Sequence, residues 1–142
     1  MKKILFLFLS FYFPSLIVIL MSIGNENVLT NLPSELTYPS LMMILSRNLM
    51  MLLIFTLSSF ISNWISYFFF YFNAIYFSLA LIISGDVIKN FFQVLKYGLI
   101  EVFAFAIACY LLSKKNYKKL YLPVFLILLA GIIEHFVIKG IL

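Results

Sequence analysis

Long apolar runs, separated by short polar segments, make up most of the chain. The first run, Ile4–Ile23, follows Lys2 and Lys3 and contains no charged residue. About twenty apolar residues form a helix that spans the roughly 30 Å hydrocarbon core of a bilayer. We therefore predict a membrane-spanning helix over residues 4–23, kinked at Pro14 because proline cannot donate a backbone hydrogen bond.

A cleaved signal peptide also combines a basic start with an apolar run. Here the run is longer than a usual signal core, and Met21-Ser22-Ile23-Gly24 is a poor cleavage site, so we expect the first helix to be retained. Residues 24–46, rich in asparagine and proline, are predicted to form an extramembrane loop.

The next uncharged stretch, from Asn48 to Ser84, is too long for one span. As a single helix it would measure about 55 Å, at about 1.5 Å per residue. A cluster of serines and asparagine around Ser62 marks the position of a hairpin. We therefore predict two spans, over residues 48–63 and 66–84.

The rest of the chain is predicted to contain one amphipathic helix and two further spans. Apolar residues recur at helical spacing over residues 86–96, with lysines and amides on the other face. This pattern is typical of a helix that lies flat at the membrane interface. Spans over 97–112 and 120–138 follow. The predicted fold class is an all-α integral membrane protein, with about five transmembrane helices and one short interfacial amphipathic helix, in a single membrane domain over 1–142.

Composition agrees with a membrane protein and argues against other classes. Hydrophobic residues make up 65% of the chain and charged residues 11%, which is too little polar surface for a soluble globule. The net charge of +5 comes from basic residues at the ends of apolar runs, so we do not expect nucleic-acid binding. Cys109 is the single cysteine, which excludes an intrachain disulfide.

The distribution of basic residues predicts the orientation, because basic loops favour the cytoplasmic side. An odd number of spans places the amino terminus and the lysine-rich loop on one side of the membrane. That side holds Lys2, Lys3, Lys114, Lys115, Lys118 and Lys119, and the other holds Arg47, Lys89, Lys96 and Lys139. We expect a protein of the cell membrane with a cytoplasmic amino terminus and an external carboxyl terminus.

Two glutamates, Glu101 and Glu134, lie inside predicted spans. An ionisable group in hydrocarbon is costly, so it usually faces the protein interior and has a partner. The last two spans are joined by a short loop, and the glutamates lie at similar depth. We therefore expect the two carboxyl groups to approach each other in the outer half of the membrane. The residues predicted to support this intramembrane pair are Asn48, Asn73, Tyr97, Gly98 and His135.

Three hypotheses compete for this pair. The favoured one is a buried, hydrogen-bonded pair that fixes helix packing, with Asn73 forming a further interhelical hydrogen bond. The pair could instead relay protons in a transporter, or bind a divalent metal together with His135. The HExxH spacing of zinc proteases does not occur in the sequence, so we predict no metal, no cofactor and no catalytic residue.

Several isolated polar residues also form a family pattern. They are Asn48 at the start of one span, Asn73 in the next, Gly98-x-x-Glu101 in a helix with Ala104 and Ala108, and Glu134 in the last. Over roughly residues 44 to 139, this pattern resembles the stage II sporulation protein M family of small polytopic membrane proteins. The fourth-helix motif of that family usually opens with proline and histidine, where this chain has Lys96 and Tyr97.

The resemblance implies a non-enzymatic accessory subunit of a membrane complex. One branch of the family acts in engulfment during sporulation, and another accompanies small, often circular, bacteriocin peptides in export, maturation or self-protection. The chain is short, so we predict the second branch. The implied partners are the bilayer, other membrane proteins such as a separate export ATPase, and a small peptide. A cytosolic docking site is predicted at Lys114, Lys115, Lys118 and Lys119.

Overall fold

The computed structural model describes residues 1–23, 41–83 and 87–138, apart from the side chains of Gln93, Val94, Lys96, Tyr97, Val137 and Ile138. These residues form helices and turns without any β-strand, which confirms the predicted all-α class. The helices are α1 (Lys2–Phe11), α2 (Phe13–Ile23), α3 (Leu41–Ile61), α4 (Asn63–Ile83), α5 (Val87–Ser113) and α6 (Tyr121–Ile138), with a 3₁₀ turn over Tyr117–Lys119.

The lengths and composition of these helices suit a membrane. Among the described residues, four segments are long and apolar enough to cross one: α1 together with α2, then α3, α4, and Tyr117–Phe136. The apolar part of α5 is the shorter segment Gly98–Ser113. The chain is therefore a multi-pass helical membrane protein.

The first span is kinked close to Pro14, as the sequence predicts. α1 ends where the backbone N–H of Tyr12 donates to the Leu9 carbonyl at 3.2 Å, and α2 continues with Leu16 donating to the Tyr12 carbonyl at 3.0 Å. In a straight helix the ring of Pro14 would clash with the carbonyl of Ser10, so the chain bends there. The bend leaves Tyr12 at the junction of the two helices.

The hairpin between α3 and α4 also occurs where it was predicted. Only Ser62 separates the two helices, so α4 begins at Asn63 rather than at residue 66. The hydroxyl groups of Ser58 and Ser66 face each other across the hairpin at 3.3 Å. Small side chains thus let the two helices approach closely just beside the turn.

α3 begins earlier than predicted, at Leu41 rather than at residue 48. Ile44 is buried and Leu45 lies against Gly131 of α6, so tertiary packing extends the helix into the stretch predicted as a loop. The predicted loop over residues 24–46 is shortened accordingly, and its part up to residue 40 lies outside the described residues.

The segment predicted as a separate interfacial helix differs most from the structure. Residues 87–96 are continuous with the following span in α5, a helix of 27 residues and about 40 Å. Val87 and Phe91 are buried, and the Phe91 ring packs edge-on against Tyr12 at 6.3 Å. Half of the predicted membrane-facing stripe therefore packs on the protein, while Ile88 and Phe92 remain exposed.

Two serine contacts give the relative direction of the first span and α4. The Ser10 hydroxyl lies 2.9 Å from the Tyr71 hydroxyl. Further along both helices, the Ser15 and Ser78 hydroxyls lie 3.0 Å apart. The first span and α4 therefore run parallel, whereas α3, which turns back at Ser62, runs against both.

Ring contacts extend this alternation to the last two helices. Asn48 of α3 contacts Glu101 of α5. Further along both helices, Phe55 of α3 packs on Phe105 of α5 at 5.5 Å, so α3 and α5 are parallel. α6 runs against them, because it begins beside the carboxyl end of α3. One end of the bundle thus holds the amino terminus, the α3–α4 turn and the α5–α6 loop; we call it the lysine end.

α5 is the central helix of the bundle. It packs against α1, α2, α3, α4 and α6. Between Val102 and Leu112 its side chains are buried except at Phe103 and Tyr110. Ala104, Ala106, Ala108 and Cys109 are fully enclosed, and such small side chains allow neighbouring helices to approach on several sides. A polar residue on this helix is therefore surrounded by other helices.

Candidate functional site

The site is centred on Glu101. This residue directly precedes the buried stretch of α5 that begins at Val102, on the side away from the lysine end. Its carboxylate is repelled by Glu134 of α6 and attracted by Arg47 of α3. The side-chain amide of Asn48, also on α3, is its polar neighbour. Arg47 attracts Glu134 as well. The structure thus brings together the two glutamates that the sequence singled out, and Arg47 acts on both of them.

Gly131 of α6 packs directly against Leu45 and Ile44 of α3. A Cβ atom added to Gly131 would lie 2.5 Å from Cδ2 of Leu45 and 3.7 Å from Cγ2 of Ile44. A side chain at this position would therefore require Leu45 to move. Glu134 lies one turn further along the same helix, and Arg47 of α3 attracts it.

Tyr12 is the member of this site that the sequence analysis missed. It lies at the α1–α2 junction, only 8% exposed, and its hydroxyl is electrostatically coupled to the Glu101 carboxylate. The kink at Pro14 was the available signal, because a polar side chain beside a helix break can turn into the bundle. The sequence alone gave no reason to choose Tyr12 from the aromatic residues of the first span.

Two polar atoms at this site make no hydrogen bond of good geometry within the described part of the chain. They are the hydroxyl of Tyr12 and Nδ2 of Asn48, and Asn48 is only 2% exposed. The Asn48 amide nonetheless contacts the Glu101 carboxylate, so that contact is a weak hydrogen bond. Buried polar groups are usually hydrogen-bonded, so these two atoms are exceptions that call for an explanation.

The predicted supporting residues have different outcomes. Asn48 is in the site, and Gly98 is half-buried one turn before Glu101 on α5. Asn73 is half-buried on α4 and is not among the neighbours that act on Glu101 in the described structure. His135 is half-buried in the last turn of α6, where its ring meets Phe136 edge-on at 6.0 Å. The side chain of Tyr97 lies outside the described residues.

A dry aromatic core separates this site from the lysine end. Phe55, Phe70 and Phe105 are buried almost completely and their rings contact one another in sequence, at 6.4 Å and 5.5 Å. Leu112 and Ile127 continue this core towards the lysine end. The charged site therefore lies in one half of the bundle, and the described helices of the other half are packed with apolar side chains and a few serines near the α3–α4 turn.

The predicted docking loop lies at the lysine end, and all four of its lysines are exposed. The loop is held in place by Tyr117, whose ring stacks on Phe60 at 5.1 Å and whose hydroxyl accepts a hydrogen bond from Ser59 at 3.4 Å. Lys114, Lys115 and Lys118 line a cleft with Asn116 and Tyr117. The basic surface is therefore fixed to the end of the bundle.

The described residues contain no group of three or more histidine, cysteine or acidic side chains that could hold a metal ion. The side chains around Glu101 provide one hydroxyl, one amide, a second carboxylate and a guanidinium. Such a set can pair charges, form hydrogen bonds and exchange a proton.

Comparison of the chain with protein-family models, curated proteins and solved structures finds no match. The resemblance to the sporulation protein M family therefore stays a prediction from isolated polar residues.

Proposed function

We propose that the chain is a non-enzymatic subunit of a cell-membrane complex, in which it acts by presenting a fixed helix bundle to partner proteins. The observation that supports this proposal is the set of contacts that Glu101 makes within the bundle. Glu101 on the central helix is attracted by Arg47 and contacted by the Asn48 amide, both from α3, and α3 in turn contacts α6 at Gly131. Polar contacts of this kind fix the packing of helices in a membrane.

In this proposal the pair Glu101 and Glu134 fixes how α5 and α6 pack. The partners are other membrane proteins. The exposed lysine loop is the cytoplasmic docking surface, with the amino terminus on the same side and the carboxyl terminus outside. The sequence has no phosphate-binding loop motif, so a complex that uses ATP would draw on a separate ATPase.

The cargo follows from the family resemblance. We propose a role in export, maturation or self-protection for a small antimicrobial peptide. A sporulation engulfment complex is the alternative within the same family. Both roles use the chain as a helix-packing subunit, so one experiment tests the shared proposal and identifies the partner.

That experiment is purification of the tagged chain from solubilised membranes, followed by mass spectrometry of the proteins that accompany it. We expect a membrane ATPase or a peptide precursor with the wild-type chain and with Glu101→Gln, which keeps hydrogen bonding. We expect Glu101→Leu to lose these partners, because it leaves Asn48 and Arg47 without the carboxylate. A wild-type chain that is purified alone would contradict the proposal.

A second candidate, a small proton- or ion-coupled transporter, is favoured by one observation. The hydroxyl of Tyr12 is buried without a hydrogen bond in the described structure, whereas a pure packing contact would satisfy it. A transporter reconstituted in liposomes should carry out pH-driven transport that Glu101→Gln abolishes. Transport by the wild-type chain alone would favour this candidate over the packing subunit.

A further inference from the structure

The lysine end of the bundle carries positive charge without negative charge beside it. Its exposed lysines lie at the amino terminus and on the α5–α6 loop: Lys2, Lys3, Lys114, Lys115, Lys118 and Lys119. The two acidic residues of the described structure, Glu101 and Glu134, both lie in the other half of the bundle. The described part of the chain therefore supplies no carboxylate to these lysines, and their field attracts an external anion.

The α5–α6 loop forms a cleft in which part of this charge is collected. The cleft has a volume of about 510 Å³ and is lined by Lys114, Lys115, Asn116, Tyr117 and Lys118. Its volume lies within the range of small-molecule sites, about 300 to 1,000 Å³. The charged side chains of the lining are all cationic, and lysine and asparagine both supply N–H donors. This chemistry fits a phosphate group, whose oxygens are negatively charged acceptors.

Contacts with the bundle and within the loop fix the backbone of the cleft. The ring of Tyr117 stacks on Phe60 of α3 at 5.1 Å with an interplanar angle of 6°. The N–H of Lys119 donates to the Asn116 carbonyl at 3.3 Å, and that of Leu120 donates to the Tyr117 carbonyl at 3.1 Å. Because the backbone is ordered before a ligand arrives, binding costs less conformational entropy here than on a flexible basic tail.

The surface beside the cleft favours a lipid as the source of the phosphate. Trp64 and Tyr121 lie in the first turns of α4 and α6 at this end, and they are 82% and 72% exposed. Tryptophan and tyrosine are enriched at the level of the lipid headgroups. Phe60, which contacts the cleft through Tyr117, is 68% exposed. Acyl chains can therefore lie against apolar side chains of α3 and α6, whereas a soluble phosphate would use the lysines alone.

We propose that this cleft binds the phosphodiester headgroup of an anionic phospholipid, whose acyl chains pack along the ends of α3 and α6. Lys114, Lys115 and Lys118 pair with the headgroup, which supplies the negative charge that the described residues lack at this end. A zwitterionic lipid carries a cation of its own, so the lysines repel part of its headgroup. The cleft therefore selects lipids by their net charge.

The test uses the full-length chain purified in a non-ionic detergent and counts bound lipids by native mass spectrometry. One probe is dioleoyl-phosphatidylglycerol, and the other is dioleoyl-phosphatidylcholine, which has the same phosphate and acyl chains but no net charge. We expect the first phosphatidylglycerol to bind at least tenfold more tightly than the first phosphatidylcholine, since each lysine near an anionic headgroup strengthens binding about fivefold. Ammonium phosphate at matched ionic strength should neither bind nor displace the lipid.

Two double variants locate the site. Lys114→Gln with Lys118→Gln removes two charges from the cleft and should weaken phosphatidylglycerol binding about 25-fold, or about fivefold for each lysine. Lys2→Gln with Lys3→Gln is the charge-matched control at the same end, because neither lysine lines the cleft, and it should weaken binding by no more than about fivefold. All four side chains are exposed, so both variants should keep the thermal stability of the wild-type chain.

Three results would overturn the proposal. The first is equal affinity of the wild-type chain for the two lipids, which would leave the lysines to an acidic partner protein. The second is an equal loss in the two double variants, which would replace the cleft by the general charge of this end. The third is binding of inorganic phosphate in place of the lipid. The assay contains no partner protein, so its failure is distinct from a failure of the proposed packing function.

Discussion

The two halves of the bundle are built from the same helices but differ in the side chains that pack between them. Towards the lysine end, the core consists of aromatic and aliphatic side chains around α5, with uncharged serines such as Ser58 and Ser66 buried beside the α3–α4 turn. In the other half, Tyr12, Asn48, Glu101 and Glu134 place polar groups from four elements near enough to act on one another electrostatically. Since lipid is as apolar as leucine, burial alone cannot hold helices together in a membrane. The dry half depends on shape, and the polar half depends on charge and hydrogen bonds.

This difference implies that the two halves respond differently to substitution. In the dry half the cost of a change follows the volume that is removed, because tight packing supplies the stability. In the polar half the cost follows whether a buried polar group keeps a partner. Substitutions matched for exposure or for volume therefore separate the two kinds of contribution.

The largest effect is expected from Phe105→Ala in the dry half. Phe105 is 1% exposed and packs between Phe55 and the rest of the core. Its removal leaves a cavity that should lower the free energy of unfolding by about 3 kcal/mol, at the lower end of the range for buried phenylalanines because lipid reduces the transfer contribution. Equilibrium unfolding in mixed detergent micelles measures the change.

The control for this prediction is Phe103→Ala on the same helix. Phe103 is 39% exposed, so its truncation should cost less than about 1 kcal/mol. Equal losses in the two variants would contradict a packed aromatic core in this half of the bundle.

The next effect is expected at the polar half, from Gly131→Leu. The new side chain would meet Leu45 and push α6 away from α3, which should lower the free energy of unfolding by about 2 kcal/mol. The same unfolding experiment measures this loss. The double variant Gly131→Leu with Leu45→Ala exchanges volume across the contact and should recover at least half of the stability. A double variant no better than the single one would argue against this close approach.

Much of the fold could be predicted because its signals are local in the sequence. The spans, the hairpin at Ser62 and the kink at Pro14 follow from apolar run length and from residues that break helices. The predicted pair Glu101 and Glu134 is also brought together, since antiparallel neighbours with equal spacing from their common loop must place such residues at the same depth.

The parts that could not be predicted depend on contacts between distant segments. The continuity of α5 through residues 87–113 follows from the burial of Val87 and Phe91 against the first span, which no local pattern reveals. Tyr12 joins the site for the same reason, because its orientation is set by packing at the helix junction. Amphipathic periodicity over 86–96 correctly indicated a helix, and it could not tell a protein surface from a membrane interface.

The smallest effect is expected at the carboxyl end of α5, at the lysine end of the bundle. α5 ends there in a Schellman motif: the N–H of Lys115 donates to the Leu112 carbonyl and that of Asn116 to the Leu111 carbonyl, both at 2.9 Å. Lys115 has a φ of 51°, a left-handed conformation that favours glycine.

Lys115→Gly should therefore raise the free energy of unfolding by about 0.5 to 1 kcal/mol, since it relieves this strain. Lys114→Gly removes the same charge one position earlier, where the backbone is not left-handed, and should lower the stability instead. Opposite signs in the two variants would tie the effect to backbone conformation, whereas equal changes would tie it to the lost lysine charge near the carboxyl end of α5. If Lys115→Gly also leaves partner binding intact, the strain at this position serves the loop's shape only, and the docking surface depends on the other lysines.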